Sequence, residues 1–166
     1  NGNTTNQYTP VKVSGGHSFV SIAAGNHTCG VTTGGDAYCW GYDAFGGLGN
    51  GSGGHQNTPV KVSGNHSFVS VTAGNYHSCA VGADGDSYCW GWNAQGQLGI
   101  GNTAQQMTTP VKILGEHSFV SVTAGTTHTC GVTAAGDAYC WGSGANGRLG
   151  TGNLTDQTTP VLVVEP

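Results

Sequence analysis

The feature that most limits what this chain can fold into is a thirteen-residue block that occurs three times. It reads CGVTTGGDAYCWG from Cys29 to Gly41, CAVGADGDSYCWG from Cys79 to Gly91, and CGVTAAGDAYCWG from Cys130 to Gly142. In each copy nine residues separate two cysteines, a Gly-Asp pair sits near the middle, and Trp-Gly follows the second cysteine. The residues flanking the Gly-Asp pair alternate as two short strands do, and the glycine supplies the positive φ that a tight hairpin requires. With the turn centred near Gly34, Cys29 falls opposite Cys39 and Val31 opposite Ala37. Opposed residues of a non-hydrogen-bonded pair are close enough for a disulfide. The block therefore predicts a stapled hairpin, with pairs Cys29–Cys39, Cys79–Cys89 and Cys130–Cys140. Reduced buried thiols and a metal site are the alternatives, but a nine-residue gap is not the C-x2-4-C spacing of zinc modules.

The blocks are parts of a longer repeat. Thr-Pro-Val recurs at Thr9, Thr58, Thr109 and Thr159, His-Ser-Phe at His17, His66 and His117, and Leu-Gly at Leu48, Leu98 and Leu149, a period of 49 to 51 residues. Copies one and two differ in length by one residue before the hairpin, and copies two and three before Thr-Pro, which marks both places as loops. Each period reads as four short strands and no helix. Pro10–Val13 is expected to open the unit as a strand with its proline at the start or on an edge. Ser18–Ala23 alternates, with Val20 and Ile22 on one face and Phe19 on the other. The stapled hairpin supplies two more strands, and a Gly-rich loop from Gly41 to Gly51 leads to the next Thr-Pro. No stretch keeps the 3.6-residue period of an amphipathic helix. The expected fold is all-β: one run of about three repeats over 1–166, approximately 10–58, 59–109 and 110–159 plus a terminal strand 160–164. Four short strands per period with Gly-rich turns is the pattern of a β-propeller blade.

Composition narrows the setting. Charged residues are 7% of the chain, against about 25% in ordinary soluble domains, and 31 residues are glycine. So little charge, with six cysteines in equal spacings, suits an extracellular or cell-surface protein in an oxidising compartment. The net charge is −4 and the four basic residues, Lys12, Lys61, Lys112 and Arg148, are scattered, so no footprint for a nucleic-acid backbone is present. No apolar run approaches the ~18 residues of a membrane span.

The pattern A-G-x-x-H-[TS]-C-x-V…G-D-x-Y-C-W-G-x-N-x-x-G-x-L-G…T-P-V resembles the regulator of chromosome condensation repeat. It is carried in copy two by Ala73-Gly74, His77-Ser78-Cys79 and Trp90-Gly91-Trp92-Asn93-Ala94-Gln95-Gly96-Gln97-Leu98-Gly99, and it covers virtually the whole chain. The resemblance implies four-stranded blades of a propeller that is usually seven-bladed, and the paired cysteines are more like the family's secreted bacterial branch than its nuclear one. Three blades make an incomplete ring. The chain starts and stops mid-repeat, as an excerpt of a longer array or a self-assembling unit would. The family's nucleotide-exchange activity is not expected here, because neither a full ring nor a charged, variable face is present.

The copies also sort candidate residues. Positions common to all three belong to the scaffold: Trp40, Trp90 and Trp141 with Tyr38, Tyr88 and Tyr139 for packing between blades; His27, His77 and His128 bonded to loop carbonyls; Asp36, Asp86 and Asp137 bonding their own turns. His17, His66 and His117 join them. Positions that differ are free for recognition, and they cluster after Trp-Gly and between Leu-Gly and Thr-Pro. Tyr42, Phe45 and Trp92, aromatics on loops among small and amide residues, are the leading binding candidates, with Gln95, Gln97 and Arg148 beside them. Formal glycosylation sequons such as Asn153-Leu154-Thr155 are mostly chance in a chain this rich in Asn and Thr. No nucleophile elbow, paired carboxylates or metal-ligand spacing points to an enzyme, and no cofactor is called for. The expected function is a non-enzymatic extracellular scaffold that binds an unidentified protein, as an adhesin or inhibitor does. The alternative is a filament subunit whose strand Pro160–Val164 completes the next chain's blade.

Overall fold

The three blocks fold as hairpins, and each becomes the middle of a four-stranded antiparallel sheet. The computed structural model describes residues 1–164, leaving Glu165 and Pro166 outside the described residues. Blade 1 comprises β1 (Phe19–Ala24), β2 (His27–Thr32), β3 (Ala37–Gly41) and β4 (Gln56–Lys61). Blade 2 comprises β5 (Phe68–Ala73), β6 (His77–Gly82), β7 (Ser87–Trp92) and β8 (Gln106–Lys112). Blade 3 comprises β9 (Phe119–Ala124), β10 (His128–Thr133), β11 (Ala138–Gly142) and β12 (Gln157–Leu162). Every sheet is a simple meander in sequence order, so each strand pairs with the one before it. The hairpin register is the expected one, with Cys29 opposite Cys39 and Val31 opposite Ala37, and likewise in the other two copies. Gly35, at φ 84°, makes the turn. All three pairs are disulfides, with Cα–Cα distances of 4.0–4.1 Å, and no cysteine is free.

Two expectations about the strands are corrected. The Thr-Pro-Val segment does not open a unit. It is the fourth strand of the sheet that the preceding hairpin began, joined through pairs such as Cys39↔Val60 and Cys89↔Val111. Pro10–Val13 has no such preceding hairpin among the described residues and is not a strand. For the same reason the segment at Pro160 already closes blade 3 through Cys140↔Val161 and is not left over for a neighbouring chain. The first strand of each blade, in turn, does not alternate evenly. A bulge between Phe68 and Ser70 resets the pleat. Phe68 and Val71 are thereby both buried in the seam with blade 1, while Val69 between them is exposed.

Each blade has two unlike faces, and the core lies between blades. Cys29, Val31, Ala37 and Cys39 of blade 1 pack with Phe68, Val71, Ala80, Tyr88 and Trp90 of blade 2. Cys79, Val81 and Cys89 of blade 2 pack in the same way with Phe119, Val122 and Trp141 of blade 3. The cysteine face thus points to the following blade and the tryptophan face to the preceding one. The outer faces show the converse. Ile22 is 59% exposed, where its counterparts Val71 and Val122 are each 7% exposed. Val132 is 40% exposed against 0% and 4% for Val31 and Val81.

Candidate functional site

The seams are sealed by a repeated hydrogen-bond chain that fixes where the variable loops sit. His27 Nε2 lies 2.6 Å from Ser78 Oγ of the next blade, and that hydroxyl donates to the Gly47 carbonyl at 3.0 Å. His77 Nε2 lies 2.8 Å from Thr129 Oγ1, which donates to the Gln97 carbonyl at 2.7 Å. The same carbonyls accept the indole N–H of Trp90 (2.9 Å) and Trp141 (3.0 Å). The histidines therefore do not bond loop carbonyls directly, as the sequence reading had them; a hydroxyl from the neighbouring blade stands between. Because that hydroxyl's single proton goes to a carbonyl, the imidazole must donate from Nε2, which leaves Nδ1 of His27 and His77 bare, and both are buried without a partner. Burial lowers the pKa of His27 to about 4, and burial with the neighbouring His27 and His128 lowers that of His77 to about 3. His128, on the outer face, is lowered by burial and by Arg148.

Other scaffold residues also have partners the sequence did not show. The Asp36 and Asp86 carboxylates pair with Lys61 (2.8 Å) and Lys112 (2.7 Å) across the sheet rather than bonding their own turns, and both pairs are largely exposed. In the third copy Leu162 stands where these lysines would be, opposite Tyr139. His17, His66 and His117 pack on Tyr38, Tyr88 and Tyr139 in tilted contacts at centroid distances of 4.1–4.3 Å.

Above the seam between blades 1 and 2 the variable loops bring five aromatic rings into one row. His55 stacks on Tyr42 (4.9 Å, 23° between planes), Tyr42 meets Tyr76 (6.4 Å), Tyr76 meets Phe45 and Trp92 edge-on (5.4 and 5.2 Å), and Phe45 stacks on Trp92 (4.6 Å, 20°). Tyr42 is exposed, and Phe45, Tyr76 and Trp92 are half-buried. A groove of about 340 Å³ opens beside the row, lined by Ala44, Phe45, Trp92, Ala94, Gln105 and Gln106. The loop is held from beneath by Asp43, whose Oδ1 accepts from Leu48 N and whose main-chain N–H donates to His55 Nδ1 at 2.9 Å, fixing the ring that stacks on Tyr42. Burial raises the Asp43 pKa. In the second copy Asn93 does the same work toward Leu98 N and also donates to the Asn102 carbonyl.

The sequence candidates divide accordingly. Tyr42, Phe45 and Trp92 come together, and Gln95 lies half-buried on the same loop as Trp92. Gln97 does not belong with them. It is fully buried, its Oε1 accepts from Gln95 N, and its carbonyl is the acceptor at the seam to blade 3. Arg148 is exposed but tied to its own blade through Ala145 O and Thr127 Oγ1, and it sits on blade 3, away from the row. Trp90 and Trp141 are buried between blades, while Trp40, with no blade before it among the described residues, is half-buried. Tyr76 and His55 were missed, as were Gln105 and Gln106. Tyr76 sits where copy one is a residue shorter, and the other three fall in the variable Leu-Gly to Thr-Pro loops, so the disagreement between copies did mark their locations. A second groove of about 230 Å³ runs past Asp86, Lys112, Glu116, His117 and Phe119, but its lysine is already paired and most of its lining recurs in every copy.

Comparison with known proteins agrees with this geometry. The family profile described as the regulator of chromosome condensation (RCC1) repeat matches residues 34–81, 84–132 and 135–166, and a second profile of the same description matches 19–46, 68–97 and 119–148. A 44-residue stretch is 54% identical to the E3 ubiquitin-protein ligase HERC2 of Homo sapiens, covering 26% of this chain and 1% of that protein. A 56-residue stretch is 43% identical to the ultraviolet-B receptor UVR8 of Arabidopsis thaliana, covering 33% of this chain and 13% of that one. Among solved structures, human WBSCR16 superposes with a TM-score of 0.89 at 23% identity, over 99% of this chain and 45% of its own. Prp20p of Saccharomyces cerevisiae superposes at 0.74 with 27% identity, over 87% and 38%. The chain thus spans less than half the length of these relatives.

Proposed function

The chain belongs to the regulator of chromosome condensation repeat family, and from that premise we propose that it is a non-enzymatic binding scaffold which takes a protein partner through the aromatic row of blades 1 and 2. The observation that carries this reading is that Tyr42, Phe45, Tyr76 and Trp92, at loop positions where the copies disagree, converge on one half-exposed surface. Half-exposed aromatics on a rigid support make large contacts at small entropic cost. Prp20p of the same family is described with binding properties to Gsp1p and histones, so the scaffold suits protein recognition. The disulfides and the low charge support a place outside the cell, at a surface or as an adhesin- or inhibitor-like module. The test is the triple variant Tyr42→Ser, Phe45→Ser, Trp92→Ser, compared with wild type for quantitative retention of proteins from the native medium. The partner is lost and the thermal midpoint changes little; a variant that unfolds, or one that keeps its partner, overturns the reading.

A second reading rests on the outer blade faces. Ile22 and Val132 are exposed where their counterparts are buried, so each outer face has the chemistry of a blade seam and accepts a further blade of this pattern. A second copy docking face to face, rather than by strand exchange, would extend the array. Light scattering of the 166-residue chain over a concentration series separates a monomer from head-to-tail assembly.

A further inference from the structure

The groove beside Trp92 selects its ligand by what it lacks. None of its lining residues is charged, and Asp43, the acid nearest in sequence, is buried beneath the loop. An ionic ligand would lose its hydration here with no counter-charge to replace it. The groove is instead supplied with donors. Trp90 and Trp141 give their indole N–H to loop carbonyls, whereas that of Trp92 has no partner among the described residues. On the aromatic row beside the groove, the hydroxyls of Tyr42 and Tyr76, which do not line the groove itself, are likewise without partners among the described residues, in contrast to that of Tyr88, which donates to Asp84. The exposed amides of Gln105 and Gln106 complete the rim.

We infer that the occupant of this groove and of the aromatic row beside it is an uncharged, proline-rich segment in the polyproline II conformation, an inference that rests on the row being the binding surface. Such a segment has no internal hydrogen bonds, so its carbonyls are free acceptors, and at proline it has no N–H to satisfy. That complements a surface rich in N–H and O–H donors and free of carboxylates. Successive rings along the row, Tyr42 to Tyr76 to Trp92, are 6.4 and 5.2 Å apart, and two residues of polyproline II advance about 6 Å. The repeat of such a segment therefore matches the spacing of the rings, whose planes are inclined to one another by 59° and 63°, and the stiffness of the segment limits the entropy lost on binding. The seam between blades 2 and 3 cannot do this. There the corresponding positions are Trp92, Gln95, Thr127 and Ser143, a single aromatic residue.

The experiment is a titration of the intact chain with a synthetic oligoproline peptide flanked by uncharged residues, followed by the indole N–H resonances of the four tryptophans. The Trp92 signal shifts and saturates, Trp90 and Trp141 stay in place, and the counterpart with alanine for proline gives no saturation. Trp92→Phe keeps the stack but removes the donor, and weakens binding about five-fold, the worth of one ordinary hydrogen bond. Equal binding of the alanine peptide overturns the inference. So does a Trp92 shift produced by a neutral oligosaccharide and not by oligoproline, an outcome that leaves the row a binding surface for a different ligand. If the native partner is retained by the triple variant, the binding surface itself is wrong, and the ligand assignment falls with it.

Discussion

Acid should take this protein apart at its blade seams, and the size of the effect follows from two imidazoles. In the folded chain His27 and His77 are neutral and donate from Nε2, and a proton added at Nδ1 would be buried with no acceptor. Their folded pKa values, about 4 and about 3, lie below the ordinary 6.5 of the unfolded chain. A depressed folded pKa means that stability is complete above pH 6.5 and is lost as pH falls, because only the unfolded state takes up the proton. Each histidine then removes about 1.4 kcal/mol per pH unit, reaching about 3 kcal/mol for His27 and about 5 kcal/mol for His77 at full acidification. That is comparable to the whole stability of an ordinary domain, about 5–15 kcal/mol. With a urea slope of about 2 kcal/mol per molar, the unfolding midpoint falls by about 1 M per pH unit between pH 6 and 4. The assay is urea unfolding by tryptophan fluorescence across this range, for wild type and for His77→Gln. The variant is weaker at neutral pH but has about half the pH slope, so the two curves converge on acidification. Carboxylates shared by both proteins cancel in the difference. Parallel curves, or a wild-type midpoint that stays level from pH 6.5 to 4.5, would refute the reasoning.

Two further outcomes follow from the same seams and loops. Asp43→Asn should stabilise the fold by about 1–3 kcal/mol at neutral pH, since Oδ2 of Asp43 is buried without a partner where Asn93 donates to a carbonyl. The raised pKa of Asp43 makes that gain grow as pH rises through it and shrink in acid, which thermal melts at two pH values would show; a variant no more stable than wild type counts against it. Each disulfide closes a loop of ten residues, worth about 2–3 kcal/mol, so opening one lowers stability by that amount. Cys130, on the outer face, is half-buried while Cys29, Cys39, Cys79 and Cys89 are fully buried, so graded reduction and alkylation should label Cys130 and Cys140 first by peptide mass spectrometry. Simultaneous labelling of all three bridges would mean that the seams open readily.

The stapled hairpins were legible in the sequence because their geometry is local: a ten-residue separation and a period of two place Cys29 opposite Cys39 without help from elsewhere. The all-β blade pattern was legible because three copies say the same thing. The errors share a different physical origin. The bulge at Phe68 is a single-residue change of pleat that alternation alone does not reveal, and it is enforced by a core that belongs to the neighbouring blade. Gln97 looked like a recognition residue because it differs from Gly47 and Arg148, yet its side chain braces the Gln95 backbone and its carbonyl is filled by Thr129 and Trp141, 32 and 44 residues further on. What the seam reads at that position is the backbone carbonyl, which any side chain provides, so variation there carries no information about binding. The aromatic row is the opposite case. Its rings come from four different positions of the repeat spread over two copies, Tyr42 and Trp92 after Trp-Gly, Phe45 three residues on from Tyr42, Tyr76 before the hairpin and His55 in the long loop, and no single copy contains the set. Repetition makes the scaffold visible in one dimension. A surface assembled once, across one seam, becomes visible only when two adjacent blades are placed side by side.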